Sequence, residues 1–71
     1  MTVVKVIEVI GASEKSWEDA VREALERASK TIRNIRGIDV KGLKAVVREN
    51  KIVEYRAHLK IAFVVEESGM K

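Results

Sequence analysis

Hydrophobic positions change period twice along this chain of 71 residues. Val3 to Ile10, VVKVIEVI, is dense in β-branched residues, carries only Lys5 and Glu8 as charges and stops at Gly11, which predicts a strand. Both of its faces are largely apolar: Val3, Ile7 and Val9 on one, Val4, Val6 and Ile10 on the other. One helix can cover only one of them. From Trp17 the apolar residues fall at 17, 20, 21, 24, 25, 28, 32 and 35, a period of about 3.6 residues, while Arg22, Glu23, Glu26, Arg27, Lys30 and Arg33 face water. Ser16 is the expected N-cap, with Glu18 and Asp19 at the positive end of the helix dipole. Gly37 stands where a helix C-terminus favours a residue able to turn left-handed.

Alternation returns at Ile38 and runs to Val47, but slips phase at Gly42, where a β-bulge is expected. Arg48-Glu49-Asn50-Lys51 makes a tight turn, with Asn50 the residue most tolerant of positive φ. Ile52 to Val65 then returns antiparallel, with Tyr55, Ala57, Leu59, Ile61 and Phe63 on one face and Arg56, His58, Lys60, Ala62 and Val64 on the other. The tail Glu66 to Lys71 is expected to fray. The reading is an α+β domain spanning residues 1–71: strand, helix, strand, strand, with one helix across an antiparallel sheet whose second face stays open.

Composition sharpens this picture. A chain of this length buries only roughly 60% of its unfolded surface and needs outside support. With no cysteine and one histidine, His58, neither disulfides nor a four-ligand structural zinc site can supply it. Self-association is the remaining support. The net charge is +3, but basic and acidic residues alternate and only three aromatic residues occur, so the stacking platform of a nucleic-acid binder is missing. No apolar run approaches the ~20 residues of a membrane span, the N-terminus does not resemble a secretory leader, and the cytoplasm is the expected location.

Candidates for chemistry are few. Ser13 and Ser16 read as helix caps; Asp19 with Glu23, or Glu23 with Glu26, could form a carboxylate pair, yet each has a basic neighbour at helical spacing, as in Glu18–Arg22, Glu23–Arg27 and Glu26–Lys30, and a solvated face explains them better. His58 sits between Arg56 and Lys60 on the polar strand face, and Trp17 reads as a packing residue. The glycines form no phosphate loop. No enzyme is expected.

Three stretches carry a resemblance: IGASEKSWEDA at Ile10 to Ala20, the helix end and strand start at Thr31 to Val40, and EYRAHLKIAF at Glu54 to Phe63. Together they resemble the dodecins. That resemblance implies a sheet partly wrapped around the helix, twelve copies closing into a homododecameric cage, and storage or sequestration of flavins such as FMN or riboflavin, with coenzyme A a further ligand in some bacterial members. It also implies which residues would touch ligand. Flavin-binding dodecins place a stacking tryptophan where this chain has Gly37, and a ring-edge glutamine where it has Arg56. Glycine has no π-face, and a guanidinium cannot accept a hydrogen bond. Flavin binding is therefore expected to be weakened. Lys44 occupies a position that is basic near the ligand phosphate in some members, so Lys44 and Arg56 point instead to an anion. The alternatives are a shell for another small ligand or a cation, with Arg36, Lys44 and Arg56 or an acidic patch deciding its sign, and a purely structural oligomer without ligand. The competing reading pairs Arg56 with Glu8, Asp39 or Glu54. Metal sites on symmetry axes are left open.

Overall fold

The computed structural model describes residues 2–65, so the expected fraying of Glu66 to Lys71 lies outside the described residues. Its elements are β1 (Val3–Ser13), α1 (Trp17–Ser29), β2 (Ile35–Arg48) and β3 (Lys51–Val65). They form the expected strand-helix-strand-strand order, with a three-stranded antiparallel sheet in which β3 lies between β1 and β2. The first and last strands in sequence pair directly, from Val3 opposite Val65 to Ser13 opposite Tyr55.

The core forms where α1 crosses β1 and β3. Ala20, Ala57 and Leu59 are completely buried, with Val9, Val21, Ala24 and Ile38 packed around them. Alternation in β3 sends Ala57, Leu59 and Ile61 inward, as their period of two requires. Gly11 explains how α1 comes so close. A Cβ at that position would collide with the Ala20 carbonyl oxygen and lie 2.9 Å from Ala24 Cβ, so the helix backbone rests directly on the strand. Gly11 therefore does not end β1; it pairs with Ala57 in mid-sheet, and the strand continues to Ser13.

The start of α1 follows its sequence signal. Ser16 has extended backbone angles and its hydroxyl accepts from the Asp19 amide, satisfying one of the donors that a first helical turn leaves free. Ser13, expected as a cap, instead braces the approach: its Oγ donates to Asp19 Oδ2 at 2.7 Å and accepts from the Lys15 amide. Of the three expected i to i+4 pairs, Glu18–Arg22 and Glu23–Arg27 form, at 2.9 and 3.9 Å, whereas Glu26 and Lys30 make no ion pair among the described residues. The two pairs that form are exposed, so each contributes only ~0.2–0.5 kcal/mol.

The helix end departs from expectation. The apolar stripe extends through Ile32 and Ile35, yet α1 stops at Ser29 with Lys30 as its cap, and the amides of Lys30 and Thr31 tighten onto Arg27 and Ala28 carbonyls. Asn34, at φ 62°, makes the left-handed turn assigned to Gly37. Its carbonyl accepts from Val64, and Ile35 then pairs with Phe63. Strand pairing outweighs helical periodicity here, because β3 offers both hydrogen bonds and an apolar partner to residues that a lone helix end would leave in water. Gly37 is consequently a strand residue opposite Ala62.

β2 carries the bulge expected at Gly42, where the register slips between Val40 and Gly42, and two more irregularities at Ile35/Gly37 and Val46/Val47. The hairpin closes through Glu49 and Asn50, at φ 52° and 65°, the pair of left-handed residues that a two-residue type I′ turn requires.

Shape is the unusual property. The radius of gyration is 15.0 Å and the long axis 57 Å, whereas a compact chain of this size has a radius near ~11 Å. β2 and β3 run well past the end of β1 as an uncovered two-stranded arm.

Candidate functional site

Two faces of the sheet differ in chemistry. The inner face holds the core; the outer face bears Val4, Val6 and Ile10 of β1, all exposed, beside the even-numbered residues of β3. Ile10 is 67% exposed, the expected uncovered apolar surface. A charged row interrupts it: Glu8 reaches His58 Nε2 at 3.9 Å and Lys60 Nζ at 3.8 Å.

Lys44 and Arg56 are direct cross-strand partners in the β2–β3 register and so share one face. Two cations opposite each other repel, and two features hold them there. Arg56 bonds one Glu54 carboxylate oxygen through Nε at 3.0 Å and Nη2 at 2.9 Å, which selects Glu54 among the three acidic partners considered. The backbone of Lys44 is fixed by Trp17, whose Nε1 donates to the Lys44 carbonyl at 2.8 Å and whose ring meets Tyr55 edge-on with centroids 4.8 Å apart. Trp17 therefore ties the start of α1 to the middle of β2. The Arg56–Glu54 pair is half-exposed, and the guanidinium retains donors free for an anion.

Gly37 is not brought to this pair within one chain. It faces Ala62, six positions along β3 from Arg56, a separation of about 20 Å at strand rise. Nothing lies within 4 Å of where its Cβ would be. It borders two open grooves: one of about 750 Å³ towards α1, lined by Leu25, Ile35, Ile38 and the cations Arg22 and Arg36, and one of about 320 Å³ on the outer face beside Val6, Asp39, Lys60 and Ala62. Among the described residues no group of three or more His, Cys, Asp or Glu side chains could hold a metal ion, and no helix is long and apolar enough to cross a membrane.

Sequence reasoning paired Lys44 with Arg56 only by resemblance; the antiparallel register is the physical reason they meet. It missed Gly11 as the contact point of helix and sheet, since a glycine at the end of an apolar run reads as a stop. It also missed the hold of Trp17 on Lys44, which joins residues far apart in the chain and leaves no periodic trace.

This β-α-β-β arrangement, with a long hairpin and one helix laid over part of an antiparallel sheet, defines a small α+β domain whose sheet keeps one face uncovered. The chain belongs to the dodecin family, whose model matches residues 3–66. It is 36% identical to the dodecin of Thermus thermophilus over 66 residues, covering 93% of this chain and 96% of that protein. It is also 38% identical to the calcium dodecin of Mycobacterium tuberculosis over 63 residues, covering 89% of each. The solved dodecin of Streptomyces coelicolor superposes with a TM-score of 0.90 at 30% identity, over 93% of this chain and 94% of that one. Dodecins are small oligomeric ligand-binding proteins.

Proposed function

We propose that this chain is a non-enzymatic, cytoplasmic storage or sequestration protein of one domain, residues 1–71, which assembles as a homododecamer and holds an anionic small molecule at Lys44 and Arg56. Its affinity for flavins is weakened. The observation that carries this reading is the juxtaposition of Lys44 and Arg56 as cross-strand partners on one face, with Gly37 presenting open space elsewhere on the same hairpin. The paired cations favour a phosphate or carboxylate, of which FMN and coenzyme A are the natural candidates and riboflavin, lacking the phosphate, the informative control. Loss of a stacking ring at Gly37 removes on the order of 1–3 kcal/mol, taking base–aromatic stacking as the measure.

Fluorescence titration tests this directly. FMN and riboflavin are expected to show no quenching at submicromolar concentration; tight quenching of both would overturn the role given to Gly37. The variant G37W, which meets no atom within 4 Å at its Cβ, is expected to raise flavin affinity roughly tenfold or more. Replacing Lys44 and Arg56 by Gln is expected to weaken FMN and coenzyme A while leaving riboflavin unchanged.

A divalent cation is a second reading, favoured by the relative named calcium dodecin. Since no single copy gathers three ligating side chains among the described residues, such a site would be shared between copies. Calorimetric titration of the assembled protein with Ca²⁺ separates it from the anion reading.

A further inference from the structure

The groove between α1 and the start of β2 carries charges that the rest of the fold leaves unanswered. Leu25, Ile35 and Ile38 form its apolar lining, with Glu26, Arg36 and Gly37 beside them, in a volume of about 750 Å³. Arg33 lies in the turn that leads from α1 into β2. Glu26, Arg33 and Arg36 are exposed and make no ion pair among the described residues. The outer groove bordering Gly37 differs, because its charges are engaged: Lys60 meets Glu8, and Asp39 meets Lys41.

One segment of the chain starts beside this groove. Val64 donates to the Asn34 carbonyl and Phe63 pairs with Ile35, so β3 ends at Val65 next to the turn that carries Arg33. Residues 66–71 follow and read EESGMK. Gly37 pairs with Ala62, three positions back from Val65, a distance of about 10 Å. Six residues span up to ~20 Å. A segment that reverses after Val65 therefore draws level with Gly37 near Ser68.

The order of residues along that segment matches the groove. Glu66 and Glu67 come first, level with Arg33 and Arg36; Met70 comes where Leu25 and Ile38 line the wall, and Lys71 follows towards Glu26. Carboxylate–guanidinium pairs are charge-assisted. Methionine's flexible thioether chain suits an irregular, open groove.

We propose that Glu66 to Lys71 fold back into the groove between α1 and β2 of their own chain and cover the space at Gly37. Glu66 and Glu67 pair with Arg33 and Arg36, Met70 packs against Leu25 and Ile38, and Lys71 meets Glu26. The segment then stands where a ring lying against position 37 would have to enter, so it competes with such a ligand in cis. That consequence rests on the place given to Gly37 above; the docking itself does not.

Disulfide trapping tests the docking. The chain has no cysteine, so G37C/S68C carries its only two thiols. Under mild oxidation it is expected to close a disulfide within one chain, read as loss of free thiol with a band at the 8.0 kDa chain mass on a non-reducing gel. G37C alone sets the background between copies. Adding R33E/R36E is expected to slow closure roughly fivefold, and adding E66K/E67K to that variant to restore it, since the pairs re-form with reversed sign. Thiols that stay free, a rate indifferent to the two arginines, or a band of double mass above the G37C background overturns docking within the chain. If G37C/S68C loses its far-ultraviolet circular dichroism, S29C/S68C takes its place, Ser29 lining the same groove. For the competition, removing residues 66–71 from G37W is expected to raise flavin affinity roughly fivefold by freeing the groove. No gain overturns the competition. A G37W protein that binds flavin no better than the parent overturns the reading of Gly37 instead, and the disulfide result stands apart from it.

Discussion

Gly11 and Gly37 sit in the two outer strands of one sheet, in opposite surroundings. At Gly11 the helix backbone fills the space where a side chain would stand; at Gly37 that space is empty. The contrast extends to the regions around them. The body built from β1, α1 and the middle of β3 is closed, with Ala20, Ala57 and Leu59 fully buried. The end of the β2–β3 ribbon is open, with Val47, Ile52 and Val53 exposed and Lys44 and Arg56 on one face. The first region holds the fold together, whereas the second leaves apolar and cationic side chains on the surface. A domain this small cannot close both regions with a single helix.

Five substitutions test whether that division holds. The largest effect is expected for L59A, which removes a fully buried side chain between helix and sheet and should cost about 3–4 kcal/mol in urea unfolding at fixed protein concentration. G11A is expected to cost about 2–3 kcal/mol, because the added methyl must displace helix backbone rather than a flexible side chain. G37A serves as its counterpart and should stay within ~0.5 kcal/mol of the parent. Equal costs for these two glycines would dissolve the distinction between closed and open regions.

W17F probes the joint between them. It keeps an aromatic ring near Tyr55 but loses the hydrogen bond to the Lys44 carbonyl, for an expected loss of about 1 kcal/mol. It should also weaken FMN binding if Lys44 is held for a ligand, whereas a purely structural joint would leave binding unmoved. The smallest effect concerns the arm alone. Glu49 adopts φ 52°, where asparagine is better tolerated, so E49N should raise the unfolding midpoint by the equivalent of about 0.5 kcal/mol.

Much of this division was legible in the residues. The period of two in β3 separated Leu59 and Ile61 from His58 and Lys60, the phase slip at Gly42 located a bulge, and Ser16 located the helix start. The doubly apolar faces of β1 already indicated a surface that one helix leaves uncovered. Other features were misread because the same local signal serves two outcomes. Ile32 and Ile35 fit a helical stripe, yet Ile35 gains more by pairing with Phe63. Gly37 fits a helix terminator, yet the left-handed residue is Asn34.

The sequence by itself therefore determined which elements form, their order, and which face of each strand is apolar, since these follow from short-range periodicity and capping chemistry. Only the tertiary structure decided where the helix ends, that Gly11 admits its backbone, and that Trp17, Lys44, Glu54 and Arg56 converge on one ribbon. Those outcomes depend on antiparallel register, which brings together residues distant in the chain and is settled by competition between whole elements rather than by any one stretch.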